Sequence, residues 1–399
     1  FSTNFPIVQK SGAYNNSTGG AAVVEFNIAH DTVWSCTFGG AASFATSVDG
    51  DSTDAIIITG EAQSSLSSAF PLVDPGGPAY FDTTVNYQSF ILKLDNTDTV
   101  KWCTAFPAPW IYGMLRSTSG ETYIVGRTGT TTGFPFVFQT GEYFQNTISG
   151  IYPDAYIARF NNSDSLTWST LYGGTGDDFF WNICQDGNQT LYVSGQTRST
   201  GFSTHANGNA YVQSQSGFAD DIIVAFNSTN RVIWSTCFGG AASEPFYSNS
   251  GLTVFQTKIY TVGGSNSTHT TFPWDFPPGG YIDTLKTSSA NPTGYIARFG
   301  LAGLVLGVDD YAQEIQENDI ILFPNPTNNS ISLQVNNING EEVEIMVYDM
   351  LGRVIYNRKK GKVFGTLLES IDLSKNPTGI YFVSVRVGTN ILTKKAIKQ

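Results

Sequence analysis

The sequence has little charge, and basic residues are rare in its first four-fifths. Only 14% of the 399 residues are charged, whereas about 25% is typical of soluble domains. Residues 1–319 contain 11 Lys and Arg against 27 Asp and Glu. Because phosphate backbones are bound by basic surfaces, this acidic bulk argues against a nucleic-acid partner.

Long apolar runs and helical periodicity are also missing. No run approaches the roughly 18 residues of a membrane-spanning helix, so the chain is predicted to have no transmembrane segment of its own. The start, "FSTNFPIVQK", lacks the basic and apolar regions of a signal peptide. No stretch keeps helical spacing over three turns. The 41 glycines and 14% aromatic residues instead favour short strands joined by tight turns.

Cysteine and histidine are scarce. Three of the cysteines follow Trp34, Trp102 and Trp234 by one to three residues, and buried thiols are favoured over disulfides for the set Cys36, Cys103, Cys184 and Cys237. No metal-ligand spacing relates the histidines, which are interpreted as loop side chains: His30, His205 and His269. Since a Walker loop, a G-x-S-x-G motif and a His-Glu pair are absent too, we predict no cofactor and no catalytic residues.

A repeat of about 67 residues is the strongest internal signal. The segments "TVWSCTFGG", "TVKWCTAFP", "LTWSTLYGG" and "VIWSTCFGG" place tryptophans at 34, 102, 168 and 234, with spacings of 68, 66 and 66 residues. A strand-like run and a polar turn precede each tryptophan, and a second hairpin follows it. Each repeat therefore predicts four short strands and a long loop.

Four antiparallel strands per repeat predict an all-β chain whose residues 1–307 form a β-propeller of four-stranded blades. Phe5-Pro6 matches Phe70-Pro71, so the sequence starts in the loop that should follow a blade. Residues 294–307 supply only the first hairpin of a last blade. We therefore expect an N-terminally incomplete propeller that is part of a longer protein.

These repeats resemble the bacterial SBBP β-propeller repeats, whose units carry a "WSTYLGG"-like core, a "G-D-D" and a later "Y-V-x-G-x-T" strand. The best match is "WSTLYGGTGDDFFWNICQDGNQTLYVSGQT", from Trp168 to Thr197. The other units are looser, since "CTAFPAPW" lacks the paired glycines and "GGAASEPF" lacks the acidic pair. The resemblance implies an architecture and leaves the activity open, because propellers host many functions.

Few propeller residues suggest chemistry. Asp177 and Asp178 are interpreted as turn residues rather than as a metal site or an acid/base pair. Asp49, Asp51 and Asp54 have the spacing of a calcium loop but lack its remaining ligands, so they are weak metal candidates. A glycosidase or lyase site made of carboxylates in the central funnel stays open as an alternative.

Asp followed by Ser or Thr, and then by an apolar residue or Thr, recurs along the propeller. The pattern resembles the O-glycosylation acceptor of surface proteins in some Gram-negative bacteria. Turn chemistry explains it equally well. The aspartates are Asp31, Asp51, Asp82, Asp98, Asp164 and Asp283.

The composition changes abruptly after residue 307. Residues 308–319 are acidic and polar, as in a linker. Residues 320–399 contain 10 Lys and Arg against 6 Asp and Glu. Their short alternating runs, among them "SISLQV", "VEIMVYDM" and "GIYFVSVRV", predict a small Ig-like β-sandwich.

Residues 320–399 resemble the type A C-terminal sorting domain of the bacterial type IX secretion system. The matching segments are "FPNPTNN", "VYDMLGRVIY", "IDLSKNPTGIYFVSVRV" and "KKAIK". The resemblance implies recognition at the outer membrane, export and cleavage before surface attachment. Exposed Arg353, Lys394 and Lys395 are predicted to face the partner, and the others to form turns. The matching positions are Pro324, Asn325, Pro326, Gly352, Arg353, Asp372, Pro377, Gly379, Tyr381, Lys394 and Lys395.

Together these patterns predict a secreted or cell-surface propeller of a Gram-negative bacterium, exported through the periplasm and the outer membrane. Its partners are the secretion translocon and the attachment machinery, with a surface glycan or protein as ligand. The propeller is predicted to be a binding or adhesion module and not an enzyme; gliding-motility adhesins are common among such cargoes by resemblance. The alternative is a polysaccharide-acting enzyme with its site in the funnel.

Overall fold

The structure is a computed structural model that describes residues 5–16, 20–40, 43–50, 55–62, 70–84, 89–208, 210–244, 251–268, 271–273, 293–300, 320–387 and 390–399. These residues form strands, turns and loops, and no α-helix occurs among them. The chain divides into two compact units, residues 1–306 and 307–399. The segment interpreted as a linker, 308–319, lies outside the described residues.

Short antiparallel strands make up the described part of the first unit. They are β1 (Ala21–Phe26), β2 (Thr32–Phe38), β3 (Ser43–Gly50), β4 (Ile56–Ala62), β5 (Ser89–Leu94), β6 (Val100–Phe106), β7 (Trp110–Arg116), β8 (Thr122–Thr128), β9 (Asp154–Phe160), β10 (Leu166–Tyr172), β11 (Asp178–Gln185), β12 (Leu191–Thr197), β13 (Asp220–Phe226), β14 (Val232–Phe238), β15 (Gly251–Phe255), β16 (Lys258–Ser265) and β17 (Thr293–Gly300).

These strands form five sheets, which we call sheets A to E. Sheets B, C and D contain β3–β6, β7–β10 and β11–β14, each paired in chain order; sheet A contains β1 and β2, and sheet E contains β15–β17. The first strands of sheets B to E contact one another in succession. This up-and-down order, with the first strands innermost, is that of propeller blades. The prediction of an all-β fold with four-stranded blades is confirmed.

The repeated tryptophans explain the period. Each is almost completely buried, and its indole N–H donates a hydrogen bond to the main-chain oxygen of a loop tyrosine of the same repeat. Trp102 Nε1, for example, lies 2.8 Å from the oxygen of Tyr80, and Trp168 Nε1 lies 3.1 Å from that of Tyr143. Each tryptophan thus anchors its loop while its ring fills the seam to the next sheet.

The second unit contains β18 (Ile320–Phe323), β19 (Ser330–Asp349), β20 (Val354–Asp372), β21 (Gly379–Val387) and β22 (Asn390–Lys398). Their order is β18-β19-β21-β22, with β20 paired to β19. The runs predicted as separate strands merge into the long hairpin of β19 and β20, which differs from the sequence-based expectation.

Register shifts bend this long hairpin. Pairing with β20 is interrupted between Val335 and Ile338 of β19, and extra residues in one strand sharply increase its bend. Leu333 and Ile345, on opposite sides of the interruption, therefore enter the same buried core. The two parts of the hairpin of β19 and β20 therefore pack around a single core. This is the Ig-like arrangement that the sequence predicts.

Candidate functional sites

The first turn of the second unit holds its last strand. Asn325 uses its side-chain amide like a main-chain peptide, accepting from Ile397 N at 2.9 Å and donating to Lys395 O at 2.8 Å. Thr327 N then donates to Ile397 O at 2.8 Å. The Pro324-Asn325-Pro326 motif therefore supplies hydrogen bonds to the edge of β22.

The turn between β19 and β20 is organised by Asp349. Its carboxylate accepts from Leu351 N at 2.9 Å, Arg353 N at 3.0 Å and Arg353 Nε at 2.7 Å. The bonds from Arg353, the main-chain one first, hold the pKa of Asp349 below its ordinary value. Gly352 has a φ of +77°, a conformation in which a side chain would be strained. The turn presents the Arg353 side chain, which is 75% exposed.

The turn before β21 is held by a buried lysine of β22. Lys398 Nζ donates to the main-chain oxygens of Leu373 at 2.8 Å, Ser374 at 3.3 Å and Asn376 at 2.5 Å. Tyr381 Oη donates to Pro377 O at 2.5 Å in the same turn. These contacts tie the end of β22 to the motif that contains Asp372, Pro377, Gly379 and Tyr381.

A groove of about 420 Å³ lies between the last two turns. Arg353, Pro377, Gly379 and Tyr381 of the predicted motif line it, whereas the prolines of the first turn, Asp372, Lys394 and Lys395 do not. Met350, Leu351 and Val354 also line it and are exposed, Leu351 by 80%. We call this surface the turn groove.

In the first unit, polar side chains gather at the end of the blades where the first strands begin. Arg127 Nη1, at the end of β8, lies 3.0 Å from both carboxylate oxygens of Asp177, which precedes β11 in the next sheet. Arg198 Nη1 lies 3.7 Å from the same carboxylate. The Arg127 guanidinium also covers the Trp110 ring, 4.3 Å from its centroid. All three charged side chains are partly buried.

Glu61 of sheet B lies close enough to Arg127 for the two charges to interact. It is the next-to-last residue of β4 and follows the glycine of its strand, as Arg127 does in β8. Burial raises the pKa of Glu61 to about 7, and the positive charge of Arg127 opposes that increase. We call Glu61, Trp110, Arg127, Asp177 and Arg198 the polar cluster. Its members come from sheets B, C and D.

Two pairs of buried carboxyl groups lie at the same end. A methyl group added to Gly173 would lie 2.7 Å from Asp154 Cγ and 2.8 Å from Asp178 Oδ2, so the two carboxyl groups flank this glycine. Asp178 accepts from Ser199 Oγ at 2.6 Å. Burial raises the pKa values of Asp154 and Asp178 to about 7 and about 6.

The second pair repeats the first one blade later. Asp220 and Glu244 follow Asp154 and Asp178 by 66 residues and flank the main chain at Gly239 and Gly240. Burial raises their pKa values to about 7 and about 8. Because the arrangement recurs at two blade junctions, we interpret both pairs as structural rather than as parts of the polar cluster.

Several residues singled out in the sequence lie elsewhere. Asp49 accepts from Arg116 N at 2.7 Å, while Asp51 and Asp54 lie outside the described residues. Within the described ranges, no group of three or more His, Cys, Asp or Glu is placed to hold a metal. His205 pairs with the main chain of Ser235; His269 is outside the described residues.

Asp177 and Asp178 differ from the sequence-based interpretation. Asp178 begins β11 and is completely buried, and Asp177 forms an ion pair with Arg127, so neither serves as a simple solvated turn residue. Asp98 and Asp164 occupy hairpin turns at φ of +59° and +57°, so turn chemistry accounts for them. The glycosylation hypothesis stays a prediction. The four cysteines are free thiols, three of them buried.

Sequence patterns do not reveal the polar cluster, since its members are up to 137 residues apart. The repeat register contains a signal that could have found it. The position after the second-strand glycine is Glu61, Arg127 and Gln196 in successive blades. This position carries a different polar or charged side chain in each blade, although the strand around it is largely apolar. It therefore marks a surface whose chemistry differs from blade to blade.

Comparison with known proteins gives one curated relative and several solved structures. The ulvan lyase NLR42 of Nonlabens ulvanivorans is 23% identical over 287 residues, which cover 70% of this chain and 45% of that protein. The chain thus spans less than half the length of this relative. This match contradicts the prediction that the propeller is not an enzyme, because the aligned relative is named as a lyase.

The solved structures resemble the chain only weakly. A bifunctional GH43-CE protein of Bacteroides eggerthii is 10% identical, covering 91% of this chain and 50% of its own, with a TM-score of 0.26. A glycoside hydrolase family 43 arabinoxylan arabinofuranohydrolase of Bacillus subtilis is 13% identical, covering 100% of this chain and 71% of its own, also with a TM-score of 0.26. Scores of this size do not establish a common fold.

A protein-family model described as a secretion system C-terminal sorting domain matches residues 321–399. No helix in the described part of the chain is long and apolar enough to cross a membrane. The predicted resemblance to the sorting domain and the predicted localisation are confirmed: residues 321–399 are a type IX secretion system C-terminal sorting domain, which directs export through the outer membrane to the cell surface or the extracellular space.

Proposed function

We propose that residues 1–306 act on an acidic polysaccharide as a lyase, and that the sorting domain delivers them to the cell surface. The observation that carries the proposal is the polar cluster, in which two guanidinium groups and a carboxyl group of raised pKa lie at one end of the blades. The alignment with an ulvan lyase supports it.

The cluster contains the groups that β-elimination requires. Guanidinium groups bind carboxylates in a planar, directed manner, so Arg127 and Arg198 would hold the carboxylate of a uronic acid residue. Neutralising that carboxylate makes the adjacent C–H bond more acidic. Glu61, with a pKa of about 7, suits removal of the proton near neutral pH. The electron pair then forms a C=C bond as the glycosidic C–O bond breaks, and the departing oxygen takes up a proton from water.

Aromatic side chains beside the cluster offer contact surfaces for sugar rings. Trp110 packs under Arg127, and Phe218 lies exposed under Arg198, whose guanidinium carbon is 5.4 Å from the ring centroid. Ligand sites typically combine such apolar surfaces with a few directed polar groups. Asp177 holds both arginines in place and is assigned a positioning role.

Glu61→Gln is expected to lower the cleavage rate of the preferred uronic-acid polysaccharide about 100-fold or more, because the variant lacks the base. A panel of alginate, ulvan, pectate and chondroitin sulfate identifies the preferred polymer, and ultraviolet absorbance of the unsaturated product reports the rate. Glu25→Gln, at an exposed position of β1, is the matched control. Arg127→Lys, compared with Arg231→Lys, is expected to raise KM and lower kcat.

Two outcomes contradict the lyase proposal, and a third contradicts the role assigned to Glu61. Release of saturated sugars identifies a hydrolase. Retention of a polymer without cleavage identifies a binding module. Equal rates for Glu61→Gln and Glu25→Gln show that another group removes the proton.

The turn groove is the surface that we propose for recognition by the secretion machinery. It joins residues of two sorting-motif turns, and its exposed Met350, Leu351 and Val354 offer apolar contact beside the Arg353 charge. Exposed apolar residues that surround a groove commonly mark an interaction site.

Leu351→Asp is expected to reduce export of a fluorescent protein joined to residues 308–399 by about tenfold or more, since a lost contact worth about 1.4 kcal/mol gives that factor. Surface and periplasmic fluorescence are compared in a strain that has the secretion system. Leu368→Asp, an exposed position of β20 outside the groove, is the control. Equal export of the two variants contradicts the assignment of the groove, and periplasmic retention of the unmodified fusion contradicts export itself.

A further inference from the structure

The first strands of sheets B, C and D each contain a bulge at the same place. In each strand the pairing with the second strand shifts directly after the residue that lies opposite the second-strand glycine. The extra residues that the shift leaves out of the pairing are Thr46, Tyr112 and Trp181. Bulges re-aim a side chain and are frequent beside active sites.

The residue type at this bulge changes from blade to blade. It is threonine, tyrosine and tryptophan in sheets B, C and D, whereas the repeated tryptophan of the fourth strand is the same in every blade. A side chain that only packs a recurring junction is expected to recur with it, as the repeated tryptophans do. The exposed side chains of the innermost strands line the centre of a propeller. Variation at this place therefore favours a surface that serves a ligand.

Tyr112 and Trp181 form one aromatic surface across the junction of sheets C and D. Their ring centroids are 4.2 Å apart, with an angle of 39° between the ring planes. The two main chains also approach closely, since a methyl group added to Gly113 would lie 2.5 Å from Trp181 O. Both aromatic side chains are partly exposed. We call Tyr112 and Trp181 the aromatic platform.

The aromatic platform is continuous with the polar cluster. The Trp181 ring meets the buried Phe179 ring edge-on, with centroids 4.9 Å apart and an angle of 74°. The Phe179 ring in turn lies 5.7 Å from the guanidinium carbon of Arg127. Along β7, Tyr112 follows Trp110 by two residues, which is about 7 Å of strand. A ligand held by Arg127 therefore has the aromatic platform beside it.

We propose that the aromatic platform binds the sugar ring next to the uronic acid that the polar cluster holds, and that this neighbouring sugar carries no carboxylate. The inference rests on the proposed function, from which it takes the position of the uronic acid. The face of an aromatic ring is apolar and slightly negative, so it attracts the C–H groups on the face of a sugar ring. The same negative face disfavours a second carboxylate. The preferred polymer is thus one in which uronic acids alternate with other sugars.

Binding to a protein that lacks the catalytic base tests the aromatic platform separately from cleavage. In the Glu61→Gln background, electrophoresis through gels that contain alginate, ulvan, pectate or chondroitin sulfate gives a dissociation constant for each polymer. Trp181→Leu is expected to weaken binding of the preferred polymer about tenfold. Trp181→Phe keeps a flat ring and should weaken it by less than about threefold. Phe138→Leu, an exposed aromatic residue in the loop beside the outermost strand β10, is the control and should bind as the background does.

Steady-state kinetics in the chain with Glu61 intact give a second readout. Trp181→Leu and Tyr112→Leu are each expected to raise KM about tenfold and to change kcat by less than about twofold, because the aromatic platform binds the substrate and the transition state equally. A substitution that only disturbed the packing of the propeller would lower kcat as well. Trp181→Phe should restore KM to within about threefold of the natural value.

The outcomes separate this inference from the proposed function. Equal binding by Trp181→Leu and Phe138→Leu overturns the aromatic platform, even where the natural protein cleaves the polymer as a lyase. Weaker binding by Trp181→Leu without any cleavage by the natural protein supports the aromatic platform and contradicts the lyase proposal. Alginate and pectate consist of uronic acids alone, so tighter binding of either polymer than of ulvan and chondroitin sulfate overturns the assignment of a sugar without a carboxylate.

Discussion

Replacing Lys398 by alanine is expected to lower the free energy of unfolding of the sorting domain by about 3 kcal/mol or more. The Nζ atom is buried and donates hydrogen bonds to three main-chain oxygens of the turn at residues 373–376. A hydrogen bond from a charged donor is worth about 1.5–3 kcal/mol, and each acceptor left buried without a donor adds a penalty. Lys398→Ala removes all three donors at once.

Hydrogen-exchange mass spectrometry of β21 and β22 measures this effect in the intact chain. Lys398→Met keeps most of the apolar stem and separates the lost hydrogen bonds from lost packing. Lys395→Ala, at an exposed position of the same strand, is the control and should change stability by less than about 0.5 kcal/mol. If Lys398→Ala and Lys395→Ala behave alike, the lysine does not stabilise the turn.

The propeller is expected to lose about 4 kcal/mol or more of its stability between about pH 5 and pH 8. Burial raises the pKa of Asp154 to about 7, of Asp178 to about 6, of Asp220 to about 7 and of Glu244 to about 8. Ordinary carboxyl groups have values near 4. Over this interval the folded propeller therefore binds more protons than the unfolded chain.

This difference in proton binding determines whether stability rises or falls with pH. Unfolding releases protons, so rising pH favours the unfolded state, and the stabilisation present at acidic pH is lost as the pH passes through the raised values. Urea unfolding followed by tryptophan fluorescence measures the propeller specifically, because all seven tryptophans lie before residue 307. An unfolding midpoint that stays constant or rises towards pH 8 contradicts the prediction.

Neutral isosteres provide the control. Asp154→Asn together with Asp178→Asn resembles the protonated pair, so the pH dependence of the double variant should be flatter than that of the natural protein. The sorting domain should respond in the opposite direction, since hydrogen bonds and the charges of neighbouring arginines and lysines lower the pKa values of Asp349, Glu369 and Asp372. Its stability should fall as the pH falls through those lowered values.

Local patterns predict much of this fold because each blade repeats one solution. The tryptophans recur every 66–68 residues since each ring must fill the same seam and each indole N–H must reach the same loop. Positions that must have the same geometry in every blade therefore carry the same residue at a regular spacing in the sequence. The sorting domain could likewise be predicted, because its turn residues Asp349, Gly352 and Tyr381 act through neighbours a few positions away.

The candidate site could not be predicted in the same way. Arg127 and Asp177 are 50 residues apart, and only the packing of sheet C on sheet D joins them. The prediction that the propeller is not an enzyme is based on the absence of contiguous motifs, whereas the members of the polar cluster come from three different sheets. Sequence patterns divide β19 and β20 into separate short strands for a related reason. The polar segment inside a bent strand has the composition of a turn.

The sequence by itself determined the strand period, the blade repeat, the charge contrast and the sorting motif, because each depends on residues close together in the chain. Only the tertiary structure decided which side chains meet at the blade ends, which carboxyl groups are buried and which sheet faces are exposed. Burial and long-range contact set those properties, and they arise only when separate sheets pack against one another.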